Sequence, residues 1–203
     1  MQTGKPDWWD EARDFLLKDP ILSPIVEKFP NESLFGKGDV FSTLVRSIVG
    51  QQISVLAADS IWNRLVEMVG SIVPNQIIQF SPEELASCGL TKSKASYIHG
   101  IATNSETFLS PNWVELDDYQ VNKHLTSFRG IGPWTSEMIQ IFALLRPDIF
   151  SIGDIGLINA VKKLVPQATT KEDVLQISKT WAPYRTAACW YLWRMLDPVP
   201  VEY

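Results

Sequence analysis

Apolar residues recur every three or four positions through most of the chain, and runs that alternate between apolar and polar residues are scarce. The first spacing is typical of amphipathic α-helices, whereas strands with one buried face alternate. Serine, threonine or aspartate repeatedly precedes an apolar run, as expected for residues that cap a helix N-terminus. The pattern therefore predicts an all-α fold. The predicted helices cover 6–18, 40–49, 53–69, a segment from 81, a segment that opens at 90–94 and runs through 108, 121–128, a segment from 133 to about 145, 155–165, 171–180 and 183–196.

Residues 125–157 combine a tight turn, a helix start and a second turn. Gly130 and Gly132 tolerate positive φ and let another group approach the backbone. Pro133 suits the first position of a helix, where its missing N–H has no cost. Because a helix start carries unpaired N–H groups and partial positive charge, this arrangement can bind a phosphate without a basic side chain. An ordinary helical hairpin, whose glycines only form the turn, explains the same residues.

Asp154 follows the short turn 151–153 and precedes the helix predicted over 155–165. As an N-cap it would accept hydrogen bonds from the first N–H groups of that helix, and this role alone explains an aspartate there. The same N–H groups favour the ionised carboxylate. Glycoside-cleaving enzymes use such carboxylates to stabilise a sugar oxocarbenium ion or to orient a water molecule. Asp154 is therefore a candidate for chemistry as well as for capping.

Composition narrows the class of protein without naming a partner. The 203 residues, 45% hydrophobic and 20% charged, predict a globular protein of one domain or two small lobes. The net charge of −5 argues against a nucleic-acid partner, although residues 125–194 hold more basic than acidic side chains. Two cysteines and two histidines without ligand spacing exclude a zinc site or an iron–sulfur cluster built on cysteines. The acidic start does not resemble a secretory signal, and no apolar run is long enough to span a membrane. Two cysteines are also too few for a disulfide framework, which predicts an intracellular protein.

Several segments together resemble the helix-hairpin-helix superfamily of base-excision DNA glycosylases, and within it the 3-methyladenine DNA glycosylase II family. The hairpin LTSFRGIGPWT at 125–135 carries the resemblance with Asp154 downstream, and further matches lie at 44–54, 89–95 and 181–193. The resemblance implies one domain over 1–203 with an active-site cleft between two helical lobes. One lobe would span roughly 40–125, and the other would combine the N-terminal helix with 126–203.

The same resemblance implies roles for individual residues. Asp154 would be the catalytic carboxylate, and Gln52 would insert into the gap that a flipped base leaves. The base pocket would be lined by Trp134, Trp193, Met138 and Ile155. DNA would be bound by Gly130, Ile131, Gly132, Thr135, Gln52, Lys92 and Lys94. No cofactor is expected, apart from a Na⁺ or K⁺ ion that the main-chain carbonyls of Thr126, Phe128 and Ile131 could hold when DNA is bound.

Trp134 stands where bifunctional relatives have a lysine that forms a Schiff base with the sugar, and tryptophan cannot be that nucleophile. We therefore expect a monomeric, monofunctional glycosylase that acts on damaged double-stranded DNA. It would remove alkylated purines such as 3-methyladenine, and 7-methylguanine and related lesions are further candidates. One alternative is a glycosylase for deaminated or oxidised bases, and another is a non-catalytic DNA-binding hairpin module. Arg129, Arg146 and Arg185 are further candidates for phosphate contact, although Arg185 fits a structural ion pair equally well.

Overall fold

A computed structural model describes residues 2–197, and these residues confirm the all-α prediction. They form thirteen α-helices and one 3₁₀-helix, and their only extended pairing is a bridge between Gly4 and Gly36. None of the described helices is long and apolar enough to cross a membrane. The α-helices are α1 Trp9–Leu16, α2 Ser23–Val26, α3 Val40–Gly50, α4 Val55–Val69, α5 Pro74–Ile77, α6 Pro82–Ser87, α7 Lys92–Thr103, α8 Ser105–Phe108, α9 Asp118–Thr126, α10 Pro133–Phe142, α11 Ile155–Leu164, α12 Lys171–Ser178 and α13 Arg185–Leu196, and the 3₁₀-helix is Lys179–Trp181.

Side-chain caps start most of the longer helices where the sequence predicted them. Each capping oxygen accepts a hydrogen bond from a backbone N–H in the first turn of its helix, which satisfies a donor that the helix itself leaves unpaired. The capping residues are Asp39, Ser54, Ser81, Thr91, Asp117, Asp154 and Thr170.

Several predicted helix boundaries were wrong. Among them, the helix predicted over 53–69 begins at Val55, and the segment predicted to run through 108 ends at Thr103, before α8. The helix from Pro133 ends at Phe142 instead of about 145, because Leu145 has a left-handed backbone with φ of 53°. The Arg146 N–H then turns back to the Gln140 carbonyl oxygen at 2.9 Å. The last helix begins at Arg185 instead of 183, after the 3₁₀-helix.

The chain divides into two compact units, and the division falls inside α10. Among the described residues, the central unit is Asp39–Ile139, and the terminal unit combines 2–38 with 140–197. The lobe division predicted near residue 125 therefore differs from the structural one at its second boundary. That the whole chain is one domain stays a prediction.

In the central unit, α7 is the helix around which the others pack. It contacts α3, α5, α6 and α8, and α3 also packs against α4. The apolar face of α7 is buried at Ala95, Ile98, Ile101 and Ala102. Helix α3, which packs against α7, has most of its residues buried. The hydrophobic contact between these two helices fixes the C-terminal end of α3 beside the first turns of α7, and both take part in the candidate site.

In the terminal unit, the two ends of the described chain pack together around α13. This helix contacts α1, α2 and α11, and eight of its residues are buried. Trp9 packs edge-on against Trp190 at 5.2 Å between ring centroids, and it stacks on Tyr191 at 5.7 Å. Arg194 closes the same region with an ion pair to Glu32, with 2.6 Å between Nε and Oε2. Most of the tryptophans of the terminal unit are therefore core residues.

Candidate active site

The predicted hairpin is present as α9, a six-residue turn and α10, and its turn lies in the central unit. Asp117 caps α9 and forms a reciprocal capping box with Gln120. Within the turn, the Ile131 N–H donates to the Phe128 carbonyl oxygen at 3.2 Å, and Ile131 is 5% exposed. The buried Ile131 side chain thus anchors a turn whose backbone stays near the surface.

The two glycines of the turn have different structural roles. Gly130 has a φ of 97°, and a Cβ atom there would lie 2.6 Å from the Tyr97 Cβ. Gly130 is therefore required by backbone conformation and by the close approach of Tyr97. Gly132 is exposed, and a Cβ there would meet no atom within 4 Å. The N-terminus of α10 is consequently open on the Gly132 side.

Gln51 was not among the predicted site residues, and its side chain contacts both the glycine turn of the hairpin and the first turn of α10. Its side-chain amide nitrogen donates to the Gly130 carbonyl oxygen at 3.2 Å and to the Thr135 hydroxyl oxygen at 2.9 Å. Thr135 is 1% exposed, so its side chain serves the packing of the hairpin. The only sequence signal was the position of Gln51, between the end of α3 and the predicted insertion residue Gln52.

The predicted DNA-binding residues outside the hairpin differ in exposure. Gln52 is exposed and has a left-handed backbone with φ of 58°, which is uncommon for a residue other than glycine. Lys92 is exposed in the first turn of α7. Lys94, in contrast, is half-buried, and its amine donates to the carbonyl oxygens of Val49 at 2.9 Å and Gln51 at 2.7 Å. Burial lowers the pKa of the Lys94 amine.

Two of the predicted pocket residues lie on α10. Trp134 is half-buried, whereas Met138 is 1% exposed. Residues four apart on a helix share a face, so Trp134 and Met138 are neighbours on one side of α10. Trp134 is the member of this pair with surface available to a ligand.

The other predicted site residues belong to the terminal unit. Asp154 is half-buried at the N-cap of α11, and its Oδ1 accepts the Leu157 N–H at 2.9 Å. The next residue, Ile155, is 72% exposed. Trp193 is 8% exposed and stacks on Phe142 at 5.8 Å between ring centroids. Trp193 is therefore mainly a core residue, while Asp154 and Ile155 reach the surface.

The segment before Asp154 is held by the start of α13. Arg185 forms a two-point ion pair with Asp148, at 2.7 Å and 2.9 Å between nitrogen and oxygen atoms. The Thr186 hydroxyl donates to the Arg146 carbonyl oxygen at 2.6 Å and accepts the Ile149 N–H at 3.0 Å. Arg185 was a candidate for either a phosphate contact or a structural ion pair, and the structure supports the ion pair. Thr186 was missed, since a buried threonine has no distinctive signal in a sequence.

Comparison with known proteins assigns the chain to a family. Residues 45–183 match the model of the HhH-GPD superfamily of base excision DNA repair proteins. The chain is 31% identical to a Bacillus subtilis DNA-3-methyladenine glycosylase, over 94% of this chain and 70% of the relative. It is 34% identical to DNA-3-methyladenine glycosylase 1 of Schizosaccharomyces pombe, over 81% of this chain and 75% of the relative.

The fold agrees with the sequence matches. The structure is similar to that of the Schizosaccharomyces pombe 3-methyladenine DNA glycosylase in complex with abasic DNA. The two have a TM-score of 0.80 and 31% identity, and the match covers 91% of this chain and 95% of the other. The resemblance inferred from the hairpin and Asp154 is therefore confirmed, and this chain belongs to the HhH-GPD superfamily of base excision DNA repair proteins.

Proposed function

We propose that this protein is a DNA-3-methyladenine glycosylase that removes alkylated purines from double-stranded DNA. The observation that carries the proposal is the half-buried Asp154 carboxylate at the start of α11, in a chain whose relatives over most of its length are DNA-3-methyladenine glycosylases. A non-catalytic hairpin module would not need this carboxylate for more than a helix cap. The full set of family elements therefore favours the enzyme over the binding module.

The hairpin would hold the DNA backbone. The open N-terminus of α10, next to exposed Gly132, presents N–H groups and the positive end of the helix dipole. A phosphate bound there needs no lysine or arginine, which accounts for DNA binding by a chain of net charge −5. Extrusion of the damaged nucleotide costs a few kcal/mol, and stacking on the half-buried Trp134 would recover part of this cost.

Asp154 would supply the chemistry. A purine methylated at N3 or N7 carries positive charge, so it leaves as a neutral base when the N-glycosidic bond breaks and takes the bonding electrons with it. The carboxylate stabilises the positive charge that develops on the sugar and accepts a proton from the water that adds to C1′. No general acid is required for such a leaving group, and the product is an intact abasic site.

The hairpin carbonyls are also suited to a monovalent cation. The predicted ligands are the uncharged main-chain oxygens of Thr126, Phe128 and Ile131, and oxygen ligands suit hard cations. The Phe128 oxygen already accepts the Ile131 N–H, and a carbonyl oxygen has a second lone pair for another partner. A Na⁺ or K⁺ ion there would add positive charge next to the bound phosphate.

The test is release of damaged bases by purified protein. Duplexes that contain 3-methyladenine, 7-methylguanine, hypoxanthine or 8-oxoguanine are incubated with the protein, and abasic sites are revealed with alkali. We expect release of the methylated purines without strand cleavage before alkali, and no covalent complex after borohydride treatment, because Trp134 cannot form a Schiff base. Release of only hypoxanthine or 8-oxoguanine would support the other lesion class, and binding without release would support the non-catalytic module.

Asp154→Asn separates the catalytic role from the capping role. We expect this variant to lose at least about a hundredfold in excision rate while it still binds abasic DNA. Asp39→Asn is the matched control, since Asp39 caps α3 through the Ser42 N–H at 2.9 Å in the same way. An Asp154→Asn enzyme as active as the Asp39→Asn control would show that Asp154 is only a helix cap.

A further inference from the structure

We propose that Gln51, Lys94 and Tyr97 form a positioning network that holds the turn bearing Gln52 and the hairpin turn in one fixed geometry, so that side-chain insertion into DNA and phosphate binding occur together. We call these three residues the α3–α7 network. The inference rests on the proposed function and deepens it, because it adds residues that touch neither the base nor the sugar. All of its contacts lie within the central unit.

Gln51 provides the direct link between the two turns. Its backbone ends α3, and its side chain crosses to segments 79 and 84 residues further along the chain. One amide group thereby contacts Gly130 inside the glycine turn and Thr135 in the first turn of α10. Both hydrogen bonds are made by the amide nitrogen. The Gly130 carbonyl oxygen can only accept, so a side chain without a donor loses the bond to the glycine turn.

Lys94 holds the Gln51 backbone from the opposite side. The last carbonyl groups of a helix have no partner within the helix, and a cation beside them is stabilised by the helix dipole. The Lys94 amine donates to two such groups, the oxygens of Val49 and Gln51. These two bonds use two of the three donors of the ammonium group, so Lys94 acts as a positioning residue for the end of α3. Its contact with a phosphate stays a prediction.

The fixed position of Gln51 explains the backbone of its neighbour. A left-handed backbone with φ near 58° costs roughly 1 kcal/mol or more at a residue other than glycine. Such a conformation persists only where the surrounding contacts determine it. Before Gln52, the Gln51 carbonyl is bound by Lys94; after it, Ser54 caps α4 through the Ala57 N–H at 3.3 Å. Gln52 is therefore held in a strained and exposed turn by contacts on both sides.

Tyr97 connects the same face of α7 to the hairpin. It lies three residues after Lys94, which places the two side chains on one side of the helix. Its ring occupies the space beside Gly130, and the Arg129 guanidinium lies 5.7 Å from the ring centroid. α7 thus contacts the end of α3 through Lys94 and the glycine turn through Tyr97.

Loss of the network should impair base extrusion more than bond cleavage. A lesion in a fully paired duplex must lose its base pairing before it is extruded and reacts. A lesion opposite an abasic site has no base-pairing partner, so its extrusion costs less free energy. We expect Gln51→Ala and Lys94→Met to slow excision of the paired lesion about tenfold or more, the effect of a buried donor or acceptor left unpaired. The same variants should slow excision opposite an abasic site by no more than about threefold.

The experiment measures single-turnover excision of one site-specific 7-methylguanine, placed opposite cytosine in one duplex and opposite an abasic site in the other. Gln79→Ala and Lys18→Met are matched controls, because Gln79 and Lys18 are exposed and lie outside the site. Lys94→Arg keeps a cation with several donors and should recover most of the rate that Lys94→Met loses. Gln51→Glu keeps the side-chain size and removes the donor to the Gly130 carbonyl oxygen. It should therefore lose as much rate as Gln51→Ala, and it tests the hydrogen bond even if the smaller alanine side chain disturbs folding.

A second measurement does not depend on excision. A 2-aminopurine placed beside an abasic analogue becomes brighter when it is unstacked by side-chain insertion, and this response should be present in the wild type and weak in Gln51→Glu. Equal losses of rate in the two contexts, or an unchanged 2-aminopurine response, would overturn the proposal. A wild-type protein that gives the fluorescence response but excises no base would instead overturn the proposed function and leave the network intact.

Discussion

At the scale of single residues, Asp154 has one role that the structure shows and a second that is predicted. Its Oδ1 accepts the Leu157 N–H, so the structure confirms the capping role that the sequence predicted. The catalytic role stays a prediction, supported by membership of a glycosylase family. Because asparagine caps a helix about as well as aspartate, the two roles respond differently to substitution.

We therefore predict that Asp154→Asn changes the free energy of unfolding by less than about 0.5 kcal/mol, and that Asp154→Ala lowers it by about 1 kcal/mol. Urea denaturation of the two variants and the wild type measures both values. Equal destabilisation by asparagine and alanine would mean that the carboxylate charge, and not the cap, stabilises the start of α11.

Lys94 was predicted from the sequence to contact DNA, and the structure shows that its amine also binds backbone carbonyl groups within the protein. A lysine in the 89–95 segment of this family resembles a phosphate contact when only the sequence is known. Its amine donates to Val49 and Gln51, and neither carbonyl could have been predicted as its partner, because they are 45 and 43 residues away. Lys92, two residues earlier, is exposed and stays a predicted DNA contact.

At the scale of elements, the hairpin depends on two glycines for two different reasons. Gly130 is needed by the fold, since its φ is positive and Tyr97 fills the space of a side chain. A Cβ atom added at Gly132 would meet no atom within 4 Å, so packing does not require a glycine there. A residue that is not required for folding, at the open start of a helix, is where a phosphate would approach.

The two alanine variants should therefore separate stability from binding. We predict that Gly130→Ala lowers the free energy of unfolding by at least about 1 to 2 kcal/mol. Gly132→Ala should keep the stability within about 0.5 kcal/mol and weaken binding to an abasic-analogue duplex about tenfold. Urea denaturation and fluorescence anisotropy at a fixed salt concentration measure these effects, and wild-type binding by Gly132→Ala would argue against the phosphate site.

At the scale of the whole molecule, the terminal unit joins both ends of the described chain through aromatic packing. Tyr191 on α13 is 0% exposed and packs against Trp9 and Trp190. Its hydroxyl has no hydrogen-bond partner among the described residues. Burial, together with the nearby Asp10 and Glu32, raises the pKa of Tyr191 to about 12, although Arg13 opposes the shift.

This shift predicts a loss of stability at alkaline pH. Because the pKa in the folded state exceeds the ordinary value of 10.0, the contribution of Tyr191 is complete below pH 10 and is lost as the pH rises towards 12. Between pH 9 and pH 11.5 the free energy of unfolding should fall by about 2 kcal/mol more in the wild type than in Tyr191→Phe. Urea denaturation at both pH values tests this, and parallel losses in the two proteins would contradict it.

Local physics explains why the sequence alone determined so much of this protein. Helical periodicity, capping residues and the proline at the start of α10 act within a few residues, so the all-α fold and most helix starts were predictable. The hairpin with Asp154 downstream determined the family for the same reason, since its elements are contiguous segments. The end of α10 was not predictable, because the left-handed Leu145 continues the apolar pattern of the helix.

Contacts between distant segments were decided only by the tertiary structure. The bonds from Gln51 to the hairpin, from Lys94 to the end of α3, and from Thr186 to the segment before Asp154 join residues 37 to 84 positions apart. Glutamine, lysine and threonine have the same hydrogen-bonding groups in solvent as in such contacts, so their identity does not reveal a partner. The sequence determined which groups are present, and packing determined which of them hold the candidate site in place.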